Sequence, residues 1–305
     1  MVSMTDIQKV FKGTIRLREP IAKYTSLGIG GPADYFAEPA SKEDAVNVIT
    51  YFRKNSFPFI IIANQSNLLV SDEGYRGAAI TLESGVSHVR MNGELVYAES
   101  GLQLGRLIDF CIQRSLGGLE PLSGISGTLG GALVLNAGAN GRRISDYMVE
   151  VEVLRDNTVV KMNRTDAGVP YRRSGLNRDV ILSATFRLPN DDKEQLMRTR
   201  REALTKRNEN RPLNIPNAAT MFKDPVGGSA AALIREARLT GRSSGGAVIS
   251  ERYANAIVNT GGAKAKDVLE LIKIIRRTVQ QKCHTVLDLD LKLVGFDEHE
   301  LAGVN

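Results

Sequence analysis

Glycine is concentrated in one part of this sequence, and this concentration restricts what the chain can fold into. Ten of its 29 glycines lie between Gly101 and Gly141. The stretch from 117 to 141 has the sequence GGLEPLSGISGTLGGALVLNAGANG. A glycine costs up to ~1 kcal/mol in a regular helix, so this spacing predicts loops. Two interpretations stay open: backbone that approaches a flat ligand or its diphosphate, and glycine-rich turns without a ligand.

The familiar nucleotide-binding motifs do not account for these glycines. The sequence contains no GxxxxGK[ST], so it does not indicate a P-loop. Residues 28–33, GIGGPA, imitate the dinucleotide fingerprint, but strand-like residues 34–37 follow them where the fingerprint needs a helix. We therefore predict a tight turn at residues 28–31 that brings backbone close to another group.

The composition is typical of a globular protein with about two domains. Of its 305 residues, 42% are apolar and 24% are charged. The longest apolar run, residues 57–63, is far shorter than the ~20 residues of a membrane span, and the first ten residues lack the apolar core of a secretory signal. Two cysteines and three separated histidines indicate neither a disulfide framework nor a zinc site. We expect a cytoplasmic protein without a metal or a membrane partner.

The net charge of +6 leaves several partners open. The densest basic cluster, from Arg198 to Arg211, is interleaved with Glu202 and Glu209 and lacks aromatic residues on which bases could stack. The cluster is a solvated helix face, a contact to a bound phosphate, or a nucleic-acid surface. The first interpretation is favoured, and we expect no nucleic-acid partner.

Apolar periodicity predicts mixed helices and strands, with a boundary near residue 190. Strands are predicted at 35–37, 57–63, 149–154, 180–188 and 287–293, the second of them buried. Helices are predicted from the Ser41 cap to residue 54, at 104–115 before a stop at Gly117 and Gly118, at 193–208, and around 268–279 with one buried stripe.

Four segments carry side chains suited to chemistry. Small polar residues at 63–69 follow a strand and could cradle phosphate oxygens. Residues 171–174, YRRS, place two cations beside a hydroxyl, and residues 220–225, TMFKDP, place a hydroxyl three residues from an ammonium. In the last strand, alternation puts Asp288, Asp290 and Lys292 on one face. Ordinary surface turns and an exposed strand face remain the alternatives.

Seven motifs occur in the order found in one flavoenzyme family. They are YTSLGIGGPADYFAEP, SNLLVSDEGY, the glycine-rich segment, YRRS, NIPNAATMFKDP, AALIREARLTGRSSGGAVISERYANAIVN and LDLDLKLVG, from residue 24 to residue 295. The chain resembles the UDP-N-acetylenolpyruvoylglucosamine reductases, the MurB family of peptidoglycan synthesis, in the shorter subclass without an inserted tyrosine loop.

This resemblance implies an α+β fold of two parts. A two-lobed FAD-binding module of the PCMH/vanillyl-alcohol-oxidase type would occupy residues 24–190, with lobes at about 24–80 and 81–190. A C-terminal α/β substrate-binding domain would occupy residues 191–305. The resemblance also implies a cytoplasmic enzyme that serves cell-wall biogenesis, cell shape and cell division without an obligate protein partner.

The resemblance further implies the reaction and its catalytic residues. NADPH would reduce a non-covalently bound FAD, and UDP-N-acetylenolpyruvoylglucosamine would then be reduced to UDP-N-acetylmuramate. Charge that develops at the substrate carboxylate needs a fixed cation, and Arg172 matches the family's catalytic arginine. The adjacent carbon needs a proton. Thr220 matches the family's proton-donating serine, and Asp290 matches its acidic residue in the last strand.

The remaining site residues are carried over from the same motifs. The residues expected to bind flavin are Gly28, Ile29, Gly30, Gly31, Ser66, Asn67, Gly124, Ser126, Gly127, Thr128, Gly130, Gly131, Asn136 and Gly138. The residues expected to bind substrate are Tyr171, Lys223, Arg211, Tyr253 and Asn255, with Arg207 as an alternative to Arg211.

The chain departs from the family at site positions. Residues 63–65, Ala-Asn-Gln, replace the glycines of GGGSN and restrict the backbone, which predicts weaker flavin binding. Thr220 replaces serine, Asp290 replaces glutamate and Tyr253 replaces histidine, which predicts reduced turnover. Two alternatives therefore stay open: a flavoprotein of this fold with another substrate, such as an oxidase, and a slow or inactive member that binds only flavin or nucleotide sugar.

Overall fold

The chain forms two compact units. A computed structural model describes residues 2–63, 67–168, 175–210, 216 and 220–304. The first unit comprises Met1–Arg16, Tyr35–Ala63 and Gly77–Arg207, and the second comprises Leu17–Asp34, Asn64–Arg76 and Asn208–Asn305. These units are defined by contacts within the chain. The boundary near residue 190 separates a flavin module from a substrate domain by the ligand that each would bind, and it stays a prediction.

The helices agree with the apolar periodicity in most places. The α-helices are α1 (Met4–Val10), α2 (Lys42–Lys54), α3 (Leu104–Ile112), α4 (Leu129–Val134), α5 (Lys193–Asn210), α6 (Ala230–Glu236) and α7 (Ala265–Cys283). Short 3-10 helices cover Ile21–Tyr24, Glu120–Leu122 and Ile144–Tyr147. The Ser41 cap of α2 is confirmed, because its side chain accepts a hydrogen bond from the Asp44 amide at 3.1 Å.

The strands are more numerous than the sequence predicts. They are β1 (Thr14–Pro20), β2 (Pro32–Glu38), β3 (Phe59–Ile62), β4 (Leu68–Val70), β5 (Tyr75–Thr81), β6 (Val89–Asn92), β7 (Leu95–Glu99), β8 (Gly138–Ala139), β9 (Arg142–Arg143), β10 (Met148–Arg155), β11 (Thr158–Asn163), β12 (Val180–Arg187), β13 (Ser243–Ser244), β14 (Ala247–Ile249), β15 (Ile257–Asn259) and β16 (Lys292–Val294).

The sheets are small and mostly antiparallel. In the first unit, β11-β10-β12-β7-β6 form a five-stranded antiparallel sheet. A four-stranded sheet has the order β1-β2-β5-β3, with β3 parallel to β5. In the second unit, β13-β14-β15 are antiparallel, and β16 pairs with β4 in parallel.

Each unit has apolar clusters of its own. In the first unit, one cluster gathers α3, α4 and the inner face of the five-stranded sheet, and another packs α2 against β5. In the second unit, one cluster surrounds α7. The stripe predicted for α7 is confirmed, because its five residues are all fully buried: Val268, Leu271, Ile272, Ile275 and Val279.

Four predictions differ from the structure. The glycine-rich segment predicted as loops contains helix α4 and the short strand β8, because the Thr128 hydroxyl caps α4 by accepting from the Gly131 amide at 3.4 Å. The helix predicted to residue 115 ends at Ile112, because Ser115 adopts a left-handed φ of 57° before the glycines are reached. Strand β3 is half-buried rather than buried, since it lies at the edge of its sheet. The strand predicted at 287–293 is regular only from Lys292 to Val294.

In the part of the chain that the structure describes, no helix is long and apolar enough to cross a membrane.

Candidate active site

The segment from Thr220 to Lys223 is held in the second unit by one buried asparagine. The Asn255 side chain accepts a hydrogen bond from the Phe222 amide at 3.0 Å and donates to the Phe222 carbonyl at 2.7 Å. The Asn255 backbone carbonyl also accepts from the Met221 amide at 3.1 Å. Asn255 is fully buried, so both ends of its carboxamide serve this segment rather than a ligand. No local pattern of residues indicates this arrangement.

The same segment pairs irregularly with the residues before β16. The Lys223 amide donates to the Asp288 carbonyl at 2.9 Å. The amides of both Asp290 and Leu291 donate to the Met221 carbonyl, at 2.8 and 3.2 Å. This doubled use of one acceptor interrupts the alternating ladder, which explains why the predicted strand is not regular before Lys292. These hydrogen bonds also mean that Thr220 and Asp290 lie on two segments that are directly bonded to each other.

Asn67 joins these two segments at their proposed acids. Its Nδ2 donates to the Thr220 carbonyl at 3.0 Å and to the Asp290 carbonyl at 3.2 Å. The Asn67 backbone carbonyl accepts from the Lys292 amide at 3.1 Å, at the start of the β4–β16 pairing. Thr220 is buried and Asp290 is half-buried. The structure thus brings together Asn67, Thr220 and Asp290, which the sequence had placed on three separate motifs.

The turn lies slightly earlier than predicted, since the Gly28 amide donates to the Thr25 carbonyl at 3.2 Å, and the group that residues 28–31 approach is the chain itself. A Cβ on Gly31 would lie 2.2 Å from the Asp72 carbonyl oxygen. The φ of Gly30 is 142°, and that of Gly28 is 65°. The Thr25 hydroxyl accepts from the Ile29 amide and donates to the Ile29 carbonyl, at 3.2 and 2.9 Å. Packing within the second unit therefore requires glycine at position 31.

The glycine-rich segment lies in the first unit, and four of its glycines show two kinds of surroundings. A Cβ on Gly130 would lie 3.0 Å from the Ser100 Cβ, and one on Gly124 would lie 2.6 Å from the Arg207 Cδ. A Cβ on Gly127 would meet nothing within 4 Å, and one on Gly131 would meet only the Thr128 hydroxyl at 3.8 Å. Protein packing thus restricts the first two positions, whereas open space borders Gly127 and Gly131.

This arrangement fits a flavin. The open space beside Gly127 and Gly131 is a cradle that side chains would fill. The hydroxyl oxygens of Ser100 and Ser123 are buried and have no hydrogen-bond partner among the described residues, as expected of groups that a bound ligand or water satisfies. Neither serine was identified from the sequence, although Ser123 directly precedes a loop glycine.

The other predicted residues are distributed as follows. Ser126 and Gly138 are exposed in the first unit, and Asn136 is fully buried there with a left-handed φ of 40°. Lys223 and Tyr253 are half-buried in the second unit. Ser66, Tyr171, Arg172 and Arg211 lie outside the described residues. The basic helix α5 buries Leu196 and Ala203 and presents most of its charged side chains to solvent.

Two family descriptions match the chain in this order. Residues 33–163 match the FAD binding domain, and residues 211–294 match the C-terminal domain of UDP-N-acetylenolpyruvoylglucosamine reductase. The first match includes the glycine cradle, and the second includes both proposed acids. Fold and site therefore define a FAD-dependent oxidoreductase, and the α+β class with a FAD-binding module and a C-terminal domain is confirmed.

Relatives over nearly the whole length specify the family. A UDP-N-acetylenolpyruvoylglucosamine reductase of Chloroherpeton thalassium is 41% identical over 98% of this chain and 99% of its own. Another, of Caldanaerobacter subterraneus subsp. tengcongensis, is 39% identical over 93% of this chain and 95% of its own. The crystal structure of the Thermus caldophilus enzyme (MurB) matches 93% of this chain and 99% of its own with a TM-score of 0.79 and 32% identity. The chain belongs to the UDP-N-acetylenolpyruvoylglucosamine reductase (MurB) family, as its motifs predicted.

Proposed function

We infer that this chain reduces UDP-N-acetylenolpyruvoylglucosamine to UDP-N-acetylmuramate, with FAD as its cofactor and NADPH as the hydride donor. Its place in peptidoglycan precursor synthesis, and through it in cell shape and division, follows from the family. The single structural observation that supports this function most is that one side chain, that of Asn67, bonds to the backbone carbonyls of both Thr220 and Asp290.

The FAD-binding residues are proposed by segment. When bound, FAD supplies the hydride transfer from NADPH to the enolpyruvyl carbon. Gly127 and Gly131 leave the space that a cofactor needs, while Gly124 and Gly130 shape the loop through their packing on Arg207 and Ser100. Gly28–Gly31, Ser66, Asn67, Ser126, Thr128, Asn136 and Gly138 complete the proposed set.

Two side chains are proposed to handle the proton. The Thr220 hydroxyl donates to the carbon beside the substrate carboxylate, and Asp290 assists the donor or stabilises the enol. Their backbones are bonded to neighbouring chain, which limits how far either side chain can move. Fixed placement of this kind is a prerequisite for efficient proton transfer.

The substrate is proposed to be held by cations and hydroxyls. Arg172 would hold the carboxylate, since a planar guanidinium can bind both oxygens. Lys223 and Arg211 would meet the diphosphate, and Tyr171 and Tyr253 would supply hydroxyls. Asn255 leaves this set and becomes a residue that positions the Thr220–Lys223 segment, because its carboxamide is engaged with Phe222.

The remaining proposals concern the whole chain. Residues 24–190 would bind the flavin and residues 191–305 the nucleotide sugar. The reaction would take place in the cytoplasm, where NADPH and nucleotide sugars are available, with no nucleic acid, membrane or obligate protein partner.

One assay tests this function. The purified protein should be yellow, with a flavin band near 450 nm, and it should oxidise NADPH only when the enolpyruvyl sugar is present. A flavin that NADPH reduces, but that oxygen reoxidises faster than the sugar does, would instead indicate an oxidase of this fold. A colourless protein that does not take up FAD would overturn the assignment.

A further inference from the structure

The Asn67 side chain donates hydrogen bonds to the backbone of both proposed acids, and no other side chain among the described residues does so. Its Nδ2 carries two N–H groups, and they are directed to the backbone carbonyls of Thr220 and Asp290, at 3.0 and 3.2 Å. These residues are 153 and 223 positions away in sequence. One amide nitrogen therefore spans the two segments that carry the proposed acids.

The position of Asn67 is itself fixed. The Lys292 amide donates to the Asn67 backbone carbonyl at 3.1 Å, and the next three residues, Leu68 to Val70, pair in parallel with Lys292 to Val294. Leu69 and Val70 are fully buried. The Asn67 side chain, called the clamp below, thus starts from backbone that is bonded to β16 and precedes buried residues.

The chemistry of the clamp depends on the two N–H donors. Two carbonyl oxygens close to one point repel each other unless a donor lies between them. Without the amide, the backbone at Thr220 and at Asp290 would have to separate or admit water. Asn255 cannot compensate, because its side chain bonds only to Phe222. A displacement of about 1 Å in a reacting group can cost ~100-fold in rate.

We propose that Asn67 is a positioning residue for the proton-transfer step: its side-chain amide sets the distance between the Thr220 hydroxyl and the Asp290 carboxylate. This inference rests on the proposed function of those two residues. It assigns Asn67 a task in the second half-reaction that is separate from any contact with the cofactor.

The decisive variant is Asn67→Asp, which keeps the shape and one oxygen but loses both donors. With the variant saturated with FAD, we expect the ratio of the reoxidation rate (by the enolpyruvyl sugar) to the reduction rate (by NADPH) to fall 10- to 100-fold relative to wild type. As the pH falls, the introduced carboxyl becomes protonated and can donate to one carbonyl. Reoxidation, measured as the variant to wild-type ratio, should therefore recover at acid pH. A role in packing alone predicts no such recovery.

The matched control is Asn259→Asp in the same unit. The Asn259 Nδ2 also donates to a backbone carbonyl, that of Leu27 at 2.9 Å, but it bonds to neither proposed acid. The control should leave the ratio of the two half-reaction rates within about twofold of wild type. Equal ratios for the Asn67 and Asn259 variants, or slowing of both half-reactions alike by Asn67→Asp, would overturn the proposal.

A second variant and a second measurement do not depend on turnover. Asn67→Ser keeps one donor and should lose less than Asn67→Asp, which covers the case in which the aspartate variant does not fold. Hydrogen exchange at residues 221–223 and 290–292 should accelerate in both variants and not in the control. Unchanged exchange would overturn the clamp. A wild-type enzyme that fails to reduce the sugar would refute the proposed function instead, and the exchange data would still decide the clamp.

Discussion

At the scale of single residues, the two proposed acids differ from their family counterparts by one methyl and one methylene. Thr220 has a β-methyl that restricts its χ1, and Asp290 ends one methylene short of glutamate. We expect Thr220→Ser combined with Asp290→Glu to accelerate flavin reoxidation by the sugar about tenfold or more, and to leave reduction by NADPH unchanged. Rapid mixing separates the two half-reactions.

The control for that pair is Asp288→Glu, an exposed carboxylate two residues from Asp290. It receives the same added methylene on the same segment, and its carbonyl bonds to the Lys223 amide. We expect no change in either half-reaction. Acceleration of both half-reactions by the double change, or of neither, would remove Thr220 and Asp290 as the acids.

Also at this scale, Gly131 is the position where a methyl group tests the flavin cradle. Alanine at Gly131 fits helix α4 and meets no protein atom closer than 3.8 Å, so the fold should keep or gain up to ~1 kcal/mol in the free energy of unfolding. Flavin binding should weaken about tenfold or more, because the methyl group would enter the open space. Fluorescence titration of apoprotein with FAD measures this loss.

Gly105→Ala provides the matched control. Gly105 is exposed on helix α3, and a Cβ there would meet nothing within 4 Å. Its flavin affinity should stay within about twofold of wild type. Equal affinities for the two alanine variants would contradict the cradle. Gly130 is unsuited to the test, since a Cβ there presses on Ser100 whether or not flavin binds.

At the scale of elements, Lys42 connects the start of α2 to the five-stranded sheet. Its ammonium donates to Glu152 at 2.8 Å and to the Tyr97 hydroxyl at 3.3 Å. Partial burial alone would lower the pKa of Lys42, but the hydrogen bonds to Glu152 and Tyr97 outweigh it, and the net pKa is raised. The stabilisation is therefore present below pH ~10.5 and is lost as the pH rises through the folded-state pKa.

We expect Lys42→Met to lower the free energy of unfolding by about 0.5–1 kcal/mol at pH 8, a value that allows for solvent screening. The deficit relative to wild type should shrink above pH ~10.5, as urea denaturation at both pH values would show. Lys23→Met, which removes the more exposed Lys23–Glu19 pair, should cost less at either pH. A deficit for Lys42→Met that does not depend on pH would reflect lost packing rather than the charge.

The sequence predicts an element correctly where the signal lies within a few neighbouring residues. The stripe of α7 and the Ser41 cap of α2 depend on residues within a few positions of each other, so the sequence predicts them. The strand prediction for residues 287–291 is wrong because the amides of Asp290 and Leu291 both bond to the carbonyl of Met221, a residue about 70 positions away. The apolar run of β3 predicts a buried strand, but its place at the sheet edge depends on the order of strands.

At the scale of the whole molecule, motif order predicted the family, whereas the roles of single site residues needed the packing. Gly31 and Gly130 occur in cofactor motifs, yet a Cβ at either position would meet the chain's own atoms. Asn255 occurs in a substrate motif, yet its carboxamide is bonded to Phe222. Such roles depend on which distant backbone lies alongside, and no local pattern carries that information.

The whole molecule should also respond to its cofactor by mass action. FAD at 100 times its dissociation constant should raise the free energy of unfolding by ~2.7 kcal/mol, if it binds only the folded chain. The melting temperature of the apoprotein should therefore rise by several degrees and continue to rise with FAD concentration. Gly131→Ala should need about tenfold more FAD for the same shift, because the shift depends on the ratio of FAD concentration to dissociation constant. At equal FAD concentration the variant should gain ~1.4 kcal/mol less, which is the equivalent of a tenfold loss of affinity. A melting temperature that does not depend on FAD would mean that the folded chain does not bind it.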